Sequence, residues 1–322
     1  MAIRYIDLPK LIVLFISTGF FYPTKGEFPM KKFFVFLAIL TWAGLSFAQD
    51  NASETIDTVI AKPPIPSGAP AYTGPVFKKG DSPALYDNGP MATCTGCGDG
   101  GADESILQSL SLGMGTYGFG CQIVNNNSVA DDFEVTGNWL IDTITVFAYQ
   151  TGSGNTSTIN DVRLRIWDGQ PGAVGSSVIW GDLATNILSA SIFSNIYRTL
   201  ETSPGTTVRP IMANTVTVGK ALTPGTYWLE WQVGGSSGSG PWAPPLTTLG
   251  QSTTGNALHN LNDGGFNPLL DAGNQQGLPF IIQGRDLDIP IPTVNEWGMI
   301  LLGLSLAVTA FVVMRKRTGT RA

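Results

Sequence analysis

The chain has 322 residues, a formal net charge of −6 and a single histidine. Between Gln49 and Pro290 it carries 21 Asp and Glu against nine Lys and Arg, a net of −12, because the remaining basic residues sit at the two ends. So acidic a middle excludes nucleic acid as a partner, since that needs a basic footprint, and it disfavours an anionic membrane surface. Sixteen of the 21 acids are Asp, a turn residue and a hard-cation ligand, so loops and strands are expected rather than helices.

The first readable element is a secretory signal. Met30-Lys31-Lys32 is a basic start, Phe33 to Phe47 an apolar stretch, and Ser46-Phe47-Ala48 a small-x-small site. Cleavage after Ala48 leaves Gln49 as the mature N-terminus. Residues 1–29 read as a misassigned upstream start. Leu11 to Phe21 is also apolar but short for a span; the alternatives are a long n-region or an uncleaved N-terminal anchor.

Residues 49–93 read as a Pro/Ser/Gly-rich spacer, with Lys62 to Pro75 extended. Residues 94–127 are Gly- and Asn-rich, with one helix-like piece at Glu104 to Leu112. Cys94, Cys97 and Cys121 lie here, and an exported chain should pair some of them. Three single pairings are open, each leaving one thiol over. A clip from the Gly-rich stretch to Cys121 is the favoured reading. A redox role for Cys94-Thr95-Gly96-Cys97 lacks a βαβ setting, and zinc lacks ligands, because His259 is the only histidine.

From residue 128 the pattern is that of strands. Val129 to Val135 contains the adjacent acids Asp131 and Asp132. Trp139 to Tyr149 is β-branched and aromatic on both faces, which predicts a central strand. On one face lie Ile141, Thr143, Thr145, Phe147 and Tyr149; on the other, Leu140, Ile144, Val146 and Ala148. Val162, Leu164 and Ile166 alternate with Arg163 and Arg165, which predicts a half-buried strand. Short strands follow at Val178 to Trp180, Ser189 to Phe193 and Asn214 to Val218. After Pro224-Gly225, Tyr227, Leu229, Trp231 and Val233 share one face. Phe280 to Gln283 is the last strand before a tether at 285–290. Together these predict an all-β fold: an antiparallel, jelly-roll-like β-sandwich over 128–284.

Four kinds of chemistry have candidate residues on this frame. A Ser or Cys nucleophile must use His259, which reads as a loop residue. Glycoside hydrolysis needs two converging carboxylates, with Asp131, Asp132, Glu134, Asp142 and Glu230 as candidates. Structural Ca²⁺ is a candidate at Asp131, Asp132, Asp161 and Asp168, against the commoner reading of solvated turn acids; no other cofactor is implied. Exposed tryptophans can stack on sugar rings, and Trp167 and Trp242 are the candidate platform. The commoner reading of Trp242 is a lid over the core, wedged by Pro244 and Pro245.

The end of the chain is the most specific part. Ile291-Pro292-Thr293-Val294-Asn295-Glu296-Trp297-Gly298 precedes an uncharged apolar run from Trp297 to Met314, then Arg315, Lys316 and Arg317. Eighteen residues at 1.5 Å rise span about 27 Å, close to a bilayer's hydrocarbon core. The basic cluster is a stop-transfer signal that holds the C-terminus in the cytoplasm. Motif, helix and tail resemble the IPTLxxWG-type signal of the IPTL-CTERM family. Ile291, Pro292, Thr293, Trp297 and Gly298 match, and Val294 stands where the family has Leu. The resemblance implies a Gram-negative-type exported protein, a membrane-embedded exosortase-type protease as partner, and a single-pass inner-membrane precursor that reaches the envelope or the exterior. An ordinary single-pass anchor is the alternative. The stretch from Ser128 to Gly284 also resembles an uncharacterised secreted β-sandwich module. The expected function is therefore a non-catalytic structural or adhesive surface protein, not an enzyme. A carbohydrate-binding module, meeting extracellular polysaccharide rather than surface proteins, is the alternative, and a secreted hydrolase comes last.

Overall fold

The computed structural model describes residues 52–56, 73–74, 76–77, 83–288 and 294–318; within the last range it describes side chains at 298–311 and 314–315. The chain divides into two units, Met1–Gln49 and Asp50–Ala322. The first unit contains the expected signal peptide and, with Ala48 and Gln49, the expected cleavage site. It lies outside the described residues.

The second unit is predominantly antiparallel β structure. Its strands are β1 (Ser53–Thr55), β2 (Ala84–Asn88), β3 (Asp103–Leu107), β4 (Thr116–Gly120), β5 (Ser128–Val135), β6 (Trp139–Ala148), β7 (Ile159–Trp167), β8 (Val178–Asp182), β9 (Leu188–Leu200), β10 (Pro210–Leu222), β11 (Gly225–Gly235), β12 (Trp242–Ala243), β13 (Leu258–Asn260), β14 (Phe266–Pro268), β15 (Leu270–Asp271), β16 (Asn274–Gln275) and β17 (Phe280–Asp286). One sheet has the order β2-β17-β6-β10-β9-β3 and a second β14-β13-β5-β11-β7-β8. A three-stranded sheet β1-β4-β12 and the β15-β16 pair complete the set. Only β3 with β9 pairs in parallel among these ladders. Six strands per sheet make the sandwich wider than an eight-stranded jelly roll.

The main core joins the inner faces of the two large sheets. Val162, Leu164 and Ile166 of β7 and Leu229, Trp231 and Val233 of β11 meet Val146 of β6 and Phe280 and Ile282 of β17. The alternation read from the sequence places all the β7 and β11 residues correctly. Tyr227 also does what its turn suggests, since its hydroxyl donates to the Thr223 carbonyl at 3.0 Å and ties the entry to β11.

Several expectations are corrected. β6 is central, between β17 and β10, but Ile141 joins Ile144 and Val146 in the same core rather than the opposite face. Register shifts at Thr217/Lys220 and at Gln283/Gly284 reset the alternation there. Gly284 makes this bulge feasible, because a Cβ at that position collides with the Leu140 carbonyl oxygen. The helix-like piece at 104–112 is instead β3 followed by the single turn α1 (Ser109–Leu112). Pairing with Tyr197 to Leu200 of β9 and burial of Glu104 and Ser105 override the local propensity. Ser189 to Phe193 is only part of the 13-residue β9.

The stretches expected to lie outside the strand domain supply β1, β2, β3 and β4 to its sheets. β2 is held to β17 by its ladder and by Asn88, whose amide donates to Asp131 at 2.9 Å and to the Leu278 carbonyl at 2.8 Å. β1 is pinned by Glu54. This buried carboxylate pairs with Arg209 at 3.1 Å and accepts from the Tyr149 hydroxyl at 2.8 Å and the Thr151 hydroxyl at 2.7 Å.

Candidate functional site

The C-terminal segment forms α2 (Val294–Thr318), which begins two residues after Pro292. Ile291, Pro292 and Thr293 lie outside the described residues, as do the side chains of Val294, Trp297, Lys316 and Arg317. Gly298 and Arg315 are exposed. From Met299 to Met314 every described large apolar side chain is 52 to 69 % exposed, on all sides of the helix. The two hydroxyls within the apolar run are satisfied inside the helix: Ser305 donates to the Leu302 carbonyl at 2.8 Å and Thr309 to the Ser305 carbonyl at 2.7 Å. Such back-bonding lowers the cost of placing Ser and Thr in a non-aqueous medium. Among the described residues no helix is long and apolar enough to cross a membrane; the side chains of 312 and 313, within the apolar run, are not among them.

On the β domain, the outer face of the second large sheet carries a cluster of aromatic and charged groups. Trp167 ends β7, with its indole N–H donating to Glu230 at 2.8 Å. Glu230, fully buried on β11, also accepts from the Ser128 hydroxyl at 2.7 Å and from Arg165 Nη2 at 3.1 Å. The Arg165 guanidinium lies 4.8 Å from the Trp167 ring centroid, and Phe266 meets that ring edge-on at 6.3 Å. Trp228, Leu258 and Ala130 pack beneath. Trp167 is half-buried and held by these contacts, and of the two expected platform tryptophans it is the one that keeps exposed surface.

Trp242 does not join it. It is 1 % exposed within a core cluster and paired through its backbone with Tyr149 and with Gly120, so it offers no exposed platform. Gly118 permits this approach, because a Cβ there would stand 2.9 Å from that of Trp242 and 2.6 Å from the Tyr149 hydroxyl.

The four candidate calcium acids are not brought together. Asp131 occupies a core-facing position of β5 between Val129 and Phe133, and Asp132 points to the opposite face. Burial pushes the Asp131 carboxyl up to about 7, against the pull of three donors: the Leu278 N–H at 2.7 Å, the Asp132 N–H at 3.0 Å and the Asn88 amide at 2.9 Å. Asp161 pairs with Arg163 at 2.9 Å. Asp168 closes its turn by accepting from the Ser177 N–H and hydroxyl, and these bonds hold its carboxyl below the usual range. Among the described residues no three His, Cys, Asp or Glu side chains converge on a metal position.

Cys94 and Cys97 are disulfide-bonded to each other, and Cys121 is a buried free thiol, so the expected clip to Cys121 is replaced. The hairpin of Thr93 and Cys94 with Glu104 brings the nearer pair together, while Cys121 faces the core and burial pushes its thiol well up. His259 lies not in a loop but in β13, its Nε2 2.8 Å from the Gly120 carbonyl.

Sequence reasoning singles out neither Glu54 nor Arg198. Arg198 is fully buried, and burial lowers it to about 10. Its guanidinium donates to the Tyr117 and Thr116 carbonyls at 2.8 and 3.1 Å and to the Thr247 hydroxyl at 3.0 Å. Lone arginines and glutamates in β-rich sequences read as surface residues, and no local signal marks these two as buried.

No curated protein and no solved structure matches the chain. Residues 289–317 match the IPTL-CTERM motif, the segment that spans the end of the tether, Ile291 to Gly298, the apolar helix and the first basic residues. The chain therefore carries an IPTL-CTERM sorting signal of the kind exosortases recognise, the mark of an exported, surface-sorted protein.

Proposed function

We propose that this chain is delivered across the inner membrane by a signal peptide at 30–48, cleaved after Ala48, and held there by a single span from Trp297 to Met314. An exosortase-type protease then processes it within the segment Pro292 to Gly298. The β-sandwich is the delivered cargo, a non-catalytic structural or adhesive surface module. The observation that carries this reading is the match at 289–317, laid over a helix whose apolar side chains are open on every side. Arg315 to Arg317 stop transfer, and Pro292 keeps the segment before the helix extended. The non-catalytic assignment is supported by how the polar groups are occupied. Glu230 is engaged by Arg165, Trp167 and Ser128, Asp131 by backbone donors, and His259 sits against a carbonyl.

The test follows the precursor and its processed form on a gel. With Pro292→Ala and Trp297→Ala combined, the precursor should still insert in the membrane, while the processed band is lost. A processed band of native intensity in the double variant defeats the assignment.

A second reading, a sugar-binding module, is favoured by the fixed, half-buried Trp167. Titration with extracellular polysaccharides should then quench tryptophan fluorescence saturably, and Trp167→Ala should weaken binding by about 1–3 kcal/mol, the scale of a lost aromatic contact. A flat titration across polysaccharide classes leaves the adhesive reading alone.

A further inference from the structure

Immediately before the matched segment, the chain is fastened to the domain. The Asp288 carboxylate accepts from the Asn138 backbone N–H at 2.7 Å and from its side-chain amide at 2.8 Å. The Leu287 N–H donates to the Asn138 carbonyl at 2.7 Å, and the Asp288 N–H donates to Asp286 at 2.9 Å. Gly137 lets both carboxylates close over the turn between β5 and β6, since a Cβ there would stand 3.0 to 3.1 Å from oxygens of Asp286 and Asp288. The match begins at 289, one residue later. Val294 already belongs to the helix, so only residues 289–293 separate the fastening from α2. Six Cα–Cα steps reach at most about 20 Å.

We propose that Asn138 and Asp288 are positioning residues for processing: their clamp sets how far the sorting segment can extend from the folded domain, and so limits the rate at which the protease engages it. This rests on the reading of 289–317 as a processed signal. A protease that takes its substrate as an extended strand needs several residues free of other structure. With the clamp shut, at most about 20 Å of chain joins Asp288 to the start of the helix at Val294. Opening the clamp frees Leu287 and Asp288, which lie beyond the end of β17, and adds about 7 Å of reach. Leu287 and Asp288 are exposed, so the clamp opens without unfolding the sandwich.

The experiment uses the full chain in membranes with its sorting protease, and a pulse-chase of precursor into processed form. Asn138→Ala and Asp288→Ala should each raise the processing rate, by about fivefold, the factor for the net loss of one such bond. Inserting Gly-Ser-Gly-Ser between Asp288 and Ile289 leaves the clamp intact and should give the same acceleration. Asn138→Ala in that background should add nothing, which a merely unstable domain cleaved at random would not reproduce. Unchanged rates in the single variants and the insertion, in a chain whose processing does need Pro292 and Trp297, overturn the clamp alone. Processing indifferent to Pro292 and Trp297 overturns the signal reading and the clamp with it.

Discussion

Replacing Glu54 with Ala should destabilise the domain by about 3–5 kcal/mol, the range for removing one partner of a buried ion pair. Glu54 is 5 % exposed and Arg209 3 %. The guanidinium lies 3.6 Å from the Tyr117 ring centroid, and its Nη2 has no hydrogen-bond partner among the described residues. Tyr149 and Thr151 lose their acceptor at the same time. Burial and the Glu54 charge hold the Tyr149 phenol well above its ordinary pKa, so it remains a donor and cannot adapt by ionising. Glu54→Gln keeps one acceptor oxygen and should cost less. β1 is only three residues long, so it could instead detach, but detachment leaves Arg209 equally uncompensated. Urea unfolding followed by tryptophan fluorescence reads the difference. A loss below about 1 kcal/mol for Glu54→Ala would mean that β1 lies outside the cooperative unit, and that the first strand after the expected cleavage site is only loosely docked.

The part of this fold that is legible in the sequence is the part governed by local alternation. Val162, Leu164 and Ile166, and the run from Tyr227 to Val233, lie on the faces their period assigns, because each strand buries one side against a single core. The period fails at Ile141, where the register shifts against both neighbours: β10 carries an extra residue opposite β6, and β6 carries one opposite β17. It fails differently at β3, which pairs in parallel with β9 across more than ninety residues of sequence; contacts that distant leave no trace in a local window. Trp242 is ambiguous in the sequence because Gly and Pro around it read as loop. The structure uses the missing Cβ of Gly118 to bring the indole against Tyr149.

The site divides along the same line. The sorting segment is legible because its signal is linear: motif, apolar run and basic tail are consecutive, and the match at 289–317 needs no tertiary information. The aromatic cluster is half legible. Trp167 falls at the end of an alternating strand, but the buried Glu230 that orients it is distant in sequence, as is Phe266. The clamp at Asn138 is not legible at all, since an Asn in a turn and an Asp in a tether carry no mark of one another across 150 residues.

Asp131 and Asp132 suggest a cation site because two acids stand together, yet consecutive residues on a strand face opposite ways. Asp131 faces the core, and the second large expected effect follows from that placement. Burial raises its carboxyl from 3.8 to about 7. Between those values the folded chain holds a proton that the unfolded chain has released. The Asp131 contribution is therefore fully present below about pH 4 and is lost as pH rises through about 7. A rise of that size is worth at most roughly 4 kcal/mol across the window. Asp132 and the Tyr86 phenol lie close enough to be coupled to it; burial, then the charges of Asp131 and Asp132, all push Tyr86 upward. Asp168, Asp182 and Asp288 have carboxyls held below the ordinary range, so their contributions fade only at acid pH, below this window. Urea midpoints at pH 5 and pH 8 should differ in the native chain, with the lower pH more stable. Asp131→Asn keeps an acceptor for the Leu278 N–H but cannot titrate, so it should abolish most of that difference while costing stability at pH 5, where its amide now faces donors. Equal slopes in the two chains would mean that the Leu278, Asp132 and Asn88 donors outweigh burial and keep Asp131 ionised throughout.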